Sequence, residues 1–173
     1  MQCSYIPVDR MTLDQFTHVW LGILPLVRKF VSRGGVRVTE KSIMNEVLAR
    51  EVQLWVCFDE EQDNKPVSFI VTRVMDYPSG RLLSFDYIGG EDVESWFDLG
   101  YELISEWAST PQEEGGPACI GIEATGRLGW QRFLKPRGWN SRYTVYELMF
   151  EEDSEDGKKP KAANPHITND NAV

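Results

Sequence analysis

The spacing of apolar residues is helical in the first part of the chain. Between residues 12 and 31 apolar side chains recur every three or four positions, which predicts an amphipathic helix capped by Thr12 with Gln15 three residues later. Pro25 lies inside this pattern and predicts a kink or a split, because proline lacks a backbone N–H. Gly34 and Gly35 are expected to end the helix.

Dense runs of β-branched and aromatic residues follow, separated by short polar turns. A short strand at residues 3–7 precedes the first helix, and a second helix should start after Thr39 and run to about Arg50. Gly89 and Gly90 should break the last of the dense runs. The runs predict three strands in an antiparallel meander, at residues 53–58, 66–75 and 81–88.

The second half of the chain predicts a crossover connection. A strand, a helix and another strand favour a parallel pair covered by helices. The expected fold is therefore α/β: a mixed sheet, made of an antiparallel meander plus a parallel pair and flanked by helices, over residues 1–150. Residues 151–173 are rich in charge, Pro, Asn and Gly and should form a disordered acidic tail. The elements predicted after the meander are a helix at 93–108, a strand at 118–124, a helix at 126–135 stopped by Pro136 and Gly138, and a strand at 142–150.

This order of elements resembles the GNAT superfamily of acetyl-CoA-dependent N-acetyltransferases. The segment Gly126–Trp139 resembles the late helix and K-x-G-[FW] turn of the family, and Gln53–Val56 resembles its first meander strand. The whole chain is most similar to the small GNAT-like proteins of tailed phages. The resemblance implies a GNAT-like fold and, in active members, acetyl-CoA held between the fourth and fifth strands.

The stretch that would hold the CoA pyrophosphate departs from the family pattern. Active members carry a [QR]-x-x-G-x-[GA] loop, whose backbone N–H groups cradle the pyrophosphate at a helix N-terminus. Here two glycines remain, but three acids accompany them, and we expect these acids to cap the helix in place of phosphate: Glu91, Asp92 and Glu94. Trp130 can line the opening for CoA or pack as core. If CoA binds, the residues expected to contact it are Tyr87, Ile88, Gly89, Gly90, Gly129 and Trp130.

Acyl transfer to an amine needs a base and often a tyrosine as acid. The position of the usual family acid holds Phe133 and Leu134, and neither side chain can donate a proton. Glu123 and Asp86 are the candidate bases, since burial within an apolar strand would raise the pKa of either carboxyl. The alternative for each is an outward-facing carboxylate or one paired with an arginine. Tyr143 and Tyr146 both lie nearby in the chain, and Tyr143 is the candidate acid.

Composition narrows the classes of partner. The formal net charge of -9 disfavours nucleic-acid binding, because phosphates are repelled. A local basic patch is interpreted as a solvated helix face. The patch consists of Arg127, Arg132, Lys135 and Arg137.

No apolar stretch approaches the roughly 20 residues needed to span a bilayer, and the N-terminus lacks the apolar core of a signal peptide.

The cysteines and histidines are too dispersed to form a site. Cys3, Cys57 and Cys119 lack any C-x-x-C spacing, and the two histidines are far apart, so no metal site is expected. We interpret all three cysteines as reduced thiols of a cytosolic protein.

These observations leave three functional hypotheses. The first is a non-catalytic GNAT-like module without a cofactor, which binds or assembles with protein partners or with itself. It would act in a phage particle or during infection, in the host cytoplasm or in the virion. The second is an acetyl-CoA-dependent N-acyltransferase acting on an amine of a protein or small molecule. The third is an inhibitor of a host defence or host enzyme, for which the acidic balance would suit mimicry of nucleic acid.

Overall fold

The computed structural model describes residues 1–34, 37–126 and 129–143. The chain divides into two units, Met1–Leu128 and Gly129–Val173. Residues 144–150 of the expected last strand and the expected tail at 151–173 lie outside the described residues. The first unit holds β1 (Gln2–Ile6), α1 (Leu13–Gly34), α2 (Glu40–Leu48), β2 (Gln53–Asp59), β3 (Lys65–Tyr77), β4 (Gly80–Gly90), α3 (Val93–Ser109) and β5 (Gly121–Ala124). In the second, α4 (Gly129–Leu134) is followed by a 3-10 turn, Lys135–Arg137.

The described strands form one mixed sheet in the order β1-β2-β3-β4-β5. Neighbours from β1 to β4 are antiparallel, and β4 pairs with β5 in parallel. The parallel pair follows from α3, which carries the chain from the end of β4 back to the start of β5. The predicted meander plus a parallel pair is confirmed.

Helices cover both faces of the sheet. Phe69 and Val71 of β3 pack in the core against α1 and α2. Ile70 points the other way and, with Cys57, lies against Gly100 of α3, because successive side chains of a strand alternate between faces. The core on the α3 face includes Trp55, Trp96, Phe97 and Ile104, each at most 2% exposed.

α1 begins as its sequence predicts but is not split. Thr12 and Gln15 each accept a hydrogen bond from the other's backbone N–H, at 3.3 and 2.8 Å. Pro25 lies inside the helix, so the expected split is wrong. Burial of Trp20, Ile23 and Val27 against the sheet outweighs the one backbone hydrogen bond that proline removes.

α2 starts with a reciprocal capping box. The Thr39 hydroxyl accepts from the Ser42 N–H at 3.0 Å, and the Ser42 hydroxyl accepts from the Thr39 N–H at 2.9 Å. Two donors of the first turn are thereby satisfied, which confirms Thr39 as the cap. The helix ends at Leu48, two residues before the predicted Arg50.

The strands around the parallel pair differ from the prediction in two places. β4 continues through Gly89 and Gly90, which pair with Phe69 and Ser68 of β3, so the glycines do not break the strand. β5 starts only at Gly121. The preceding residues turn back, with Cys119 donating its N–H to the Ala108 carbonyl at 2.7 Å, which ties this segment to the end of α3.

The expectation of three reduced cysteines is wrong for two of them. Cys3 and Cys57 form a disulfide, because the antiparallel register of β1 and β2 places them directly opposite each other. Cys119 is free, and burial raises the pKa of its thiol. Strand register is set by tertiary structure, so the spacing of the cysteines along the chain did not reveal the pair.

Candidate functional site

β4 leaves its neighbour β5 half-way along its length. Pairing with β5 runs from Leu82 to Phe85, and the five residues from Asp86 to Gly90 extend beyond it. Asp86 is also the site of a bulge, because Thr72 pairs with Phe85 and the preceding Val71 pairs with Tyr87. A bulge bends its strand and re-aims the side chains beside it. The two strands therefore diverge at Asp86, where their pairing ends.

A cluster of polar side chains lies at this divergence. Arg73 donates from Nε to Asp86 Oδ2 at 2.8 Å and from a terminal nitrogen to Glu46 Oε2 at 3.0 Å. Ser84 donates to the other oxygen of Asp86 at 2.7 Å, and the Tyr87 hydroxyl lies 3.4 Å from Glu46 Oε2. We call these five residues the Arg73 cluster. It joins α2, β3 and β4 on the face of the sheet that α1 and α2 cover.

The charges of the Arg73 cluster perturb its members. The side chains of Asp86, Glu46 and Arg73 are 18, 24 and 29% exposed. Burial alone lowers the pKa of Arg73, but the hydrogen bond and charge of Asp86, with the charge of Glu46, outweigh it and raise that pKa. Burial, followed by the charges of Glu46 and Asp86, raises the pKa of Tyr87. The cluster therefore holds one cation between two carboxylates, next to a phenol kept protonated.

Glu123 lies on the same side of the sheet. It pairs in register with Ser84, and residues paired across parallel strands point to the same face. Its carboxylate accepts a hydrogen bond from the Tyr77 hydroxyl at 2.8 Å. The structure thus brings both predicted bases, Asp86 and Glu123, to one face of the β4–β5 pair. Asp86 is paired with an arginine, as its alternative interpretation proposed, and its catalytic role stays a prediction.

The connection from β4 to α3 is too short for a phosphate-binding loop. The strand ends at Gly90 and the helix begins at Val93, so only Glu91 and Asp92 lie between them. The resemblance places the pyrophosphate of CoA at this connection. Two acidic residues, followed by Glu94 in the first turn, repel phosphate instead of attracting it. The described residues do not fit the pyrophosphate of CoA.

Packing explains the two glycines of this stretch. A Cβ at Gly90 would lie 2.7 Å from Ser68 Cβ and 3.0 Å from Trp96 Cζ2. A Cβ at Gly89 would overlap the ring of Phe69. Both glycines therefore let β4 approach the neighbouring strand and α3, and they do not form a loop that faces a ligand.

The acids do not cap α3 with their side chains, contrary to expectation. Asp92 is the N-cap residue with φ 45, and its side chain makes no capping hydrogen bond; its carbonyl accepts from the Ser95 N–H instead. Glu91 pairs with Lys29 of α1 at 2.7 Å, and this hydrogen bond and charge lower the pKa of its carboxyl. The acid that was expected to replace a phosphate is thus used to join β4 to α1.

Three of the predicted site residues, Gly129, Trp130 and Tyr143, belong to the second unit. Gly129 begins α4, with no atom within 4 Å of the position a Cβ would take. Trp130 is partly exposed and packs edge-on against Phe133 with ring centroids 5.7 Å apart, so it is not a fully buried core residue. Tyr143 is 90% exposed. Tyr87, Ile88, Gly89 and Gly90 all lie on the extended part of β4.

The sequence analysis missed three members of the Arg73 cluster and the partner of Glu123. Nothing in the sequence around Glu46 indicates that it joins this cluster, because the position of α2 over β3 and β4 is set only by the tertiary structure. The i, i+2 spacing of Ser84 and Asp86 and the lone cation Arg73 in an apolar strand were available signals for a polar stripe. Tyr77 lies between the strands predicted at residues 66–75 and 81–88. Among the described residues no group of three or more His, Cys, Asp or Glu side chains could hold a metal ion.

Structural comparison matches the chain to solved acetyltransferases over most of its length. A probable acetyltransferase covers 88% of this chain and 100% of its own, with a TM-score of 0.61 and 12% identity. A ribosomal-protein-alanine N-acetyltransferase from Brucella melitensis biovar Abortus 2308 covers 87% of this chain and 100% of its own, with a TM-score of 0.57 and 12% identity. No family model and no curated protein matches the chain.

An aminoglycoside acetyltransferase from an uncultured soil metagenomic sample, solved with sisomicin, is also similar. It covers 87% of this chain and 96% of its own, with a TM-score of 0.55 and 8% identity. No helix in the described part of the chain is long and apolar enough to cross a membrane. At such low identity a structural likeness establishes the fold and leaves activity to the site. With the five-stranded mixed sheet of its described residues, the parallel β4–β5 pair and the flanking helices, the chain has the GNAT fold.

Proposed function

We propose that this chain is a GNAT-fold module that acts by binding or assembling with protein, and not by transferring an acyl group from CoA. The observation that carries the proposal is the two-residue connection between β4 and α3. A pyrophosphate needs several backbone N–H groups turned towards it, and a connection of two acidic residues does not supply them. The glycines that precede the connection are used for packing.

The polar cluster fits a structural role in such a module. Arg73 neutralises part of the charge of Glu46 and Asp86 and ties α2 to the sheet. A partly buried arginine with two carboxylates is well satisfied by hydrogen bonds, so the cluster needs no ligand to be stable. A place in a phage particle or in infection, and a location in the host cytoplasm or the virion, stay predictions from the resemblance alone.

The experiment is a calorimetric titration of the purified chain with CoA, acetyl-CoA and pantetheine. We expect no binding of CoA or acetyl-CoA up to millimolar concentration, which corresponds to about -4 kcal/mol. Pantetheine lacks the pyrophosphate, so comparing it with CoA isolates the effect of the acidic connection. Micromolar binding of CoA, roughly -8 kcal/mol, would overturn the proposal.

A second candidate is an acetyl-CoA-dependent N-acyltransferase, favoured by the end of the β4–β5 pairing at Asp86. The bulge, the part of β4 that extends past β5 and the two carboxylates on one face would let a base meet an amine where the strands diverge. The solved neighbours named as acetyltransferases support the same candidate. In this case Asp86 or Glu123 would accept the proton of the amine.

Release of free thiol from acetyl-CoA, with a lysine-rich peptide and with spermidine as acceptors, tests this candidate. Asp86→Asn and Glu123→Gln should each lower the rate by about 10²–10⁴-fold if the residue is the base. Tyr77→Phe removes the hydrogen bond to Glu123 and is the matched control for a change in its surroundings. No thiol release above background with the wild-type chain would exclude acyl transfer to these amines.

A further inference from the structure

The described part of the second unit is basic in an otherwise acidic protein. Residues 129–143 contain four cationic side chains and no Asp or Glu, whereas the whole chain has a net charge of -9. We call residues 129–143 the basic segment. Its cations are Arg132, Lys135, Arg137 and Arg142.

Most of this charge is turned to solvent. Arg132, Lys135 and Arg142 are exposed, and among the described residues no ion pair involves them. Arg137 stacks over the ring of Phe133 at 3.8 Å and donates to its carbonyl at 3.0 Å, which orders the segment. Tyr143 adds an aromatic side chain that is 90% exposed. The combination of exposed cations and exposed aromatic area is typical of a protein contact surface.

The outer face of α3 has the opposite character. Its acids follow one another at every fourth position and are all exposed, so they form a single ridge. The helix contains no Lys, Arg or His, and like charges at i, i+4 spacing, as at Glu102 and Glu106, destabilise a helix. An acid in the last turn is also unfavourable beside the negative end of the helix dipole. We call these four residues the acidic ridge: Glu94, Asp98, Glu102 and Glu106.

We infer that the basic segment of one chain docks on the acidic ridge of a second copy of this chain. Each copy carries both surfaces, so the contact is either reciprocal, which closes a dimer, or head to tail, which closes a larger ring or extends into a filament. The inference rests on the proposed function only in that the chain acts through protein contacts.

The size of the ridge sets the strength of the contact. From Glu94 to Glu106 the ridge spans about 18 Å, because twelve steps along a helix rise about 1.5 Å each. A contact of this length falls below the area of a stable, permanent interface, so the association is weak and governed by charge. Salt screens exposed charges over roughly 10 Å at 0.1 M, so the association must weaken steeply as salt increases.

The experiment is sedimentation velocity of the full chain over a range of protein concentrations, at about 25 mM and about 500 mM salt. We expect the weight-average sedimentation coefficient to rise with concentration at low salt and to stay at the monomer value at high salt. Two variants reverse the surfaces: Glu94→Lys with Glu102→Lys and Glu106→Lys, and Arg132→Glu with Lys135→Glu and Arg142→Glu. Each alone should remain monomeric, and a 1:1 mixture of the two should associate again.

A matched control separates the effect of losing the acidic ridge from the effect of changing the net charge. Glu51→Lys with Glu61→Lys and Glu113→Lys makes the same change in net charge as the ridge variant, at exposed acids elsewhere. This control should associate like the wild type. Circular dichroism verifies that every variant is folded. A wild-type chain that stays monomeric at low salt, a control that fails like the ridge variant, or a mixture that does not associate would each overturn the inference. CoA titration is a separate measurement. Binding of CoA would overturn the proposed function, whereas a chain that stays monomeric at low salt would overturn only the inference of self-association.

Discussion

Replacing Gly90 by alanine should destabilise the protein, although the residue lies where the resemblance expects a cofactor. The new Cβ would lie 2.7 Å from Ser68 Cβ, 2.9 Å from the Val67 carbonyl oxygen and 3.0 Å from Trp96 Cζ2. The Val67 carbonyl cannot move freely, because it accepts the Glu91 N–H at 3.1 Å. Ser68 and Trp96 are 0 and 1% exposed, so they have no solvent to move into.

The magnitude follows from two opposing terms. Overpacking a core by one methyl group costs about 1–3 kcal/mol, and the smaller entropy of the unfolded alanine chain returns about 0.4–1 kcal/mol. We expect a net loss of about 1–2 kcal/mol in the free energy of unfolding. For a chain of this size that lowers the melting temperature by about 2–8 °C.

Urea unfolding followed by tryptophan fluorescence measures this loss, with thermal unfolding as a second reading. Gly129→Ala is the matched control, since its Cβ would meet nothing within 4 Å and a helical alanine is favourable. That variant should stay within about 0.5 kcal/mol of the wild type. The reasoning is refuted if Gly90→Ala is as stable as the wild type and instead loses affinity for CoA, because the glycine would then serve a ligand.

Three further predictions concern the polar cluster and the disulfide. Arg73→Met leaves Asp86 facing Glu46 without a cation, so it should lower the free energy of unfolding by about 2–4 kcal/mol at pH 7. The double variant Arg73→Met/Asp86→Asn removes one of the two uncompensated carboxylates and should lose less. An equal loss in both variants would contradict the ion pair. Because burial raises the pKa of Tyr87 above 10.0, the stability it contributes is present below pH 10 and lost as pH rises through the folded value. Tyr87→Phe should therefore flatten the alkaline end of a stability-versus-pH curve, and an unchanged slope would count against this. Reduction of the Cys3–Cys57 disulfide should lower the free energy of unfolding, measured in urea, by about 2–4 kcal/mol. The stability of Cys3→Ser, which cannot form this bond, should not change when reductant is added.

Local chemistry in the sequence determined most of the elements. The Thr12–Gln15 and Thr39–Ser42 caps are satisfied by side chains within three residues, so they form wherever the chain turns into a helix. The apolar runs that became β2, β3 and β4 fixed an antiparallel meander, since short polar turns leave adjacent strands no other pairing. α3 then carries the chain back along the sheet, so that β5 runs parallel to β4.

The tertiary structure decided what local signals could not. Pro25 and Gly89 are breakers by propensity, and burial of their neighbours against the sheet kept the helix and the strand intact. The Cys3–Cys57 bond depends on strand register over a separation of 54 residues. The bulge at Asp86 depends on the register between β3 and β4, and the meeting of Glu46 with Arg73 depends on how α2 lies over the sheet. The sequence by itself determined which residues carry charge and which form strands, and the packing of distant elements decided which charges meet, because side chains become neighbours only after the sheet and helices are assembled.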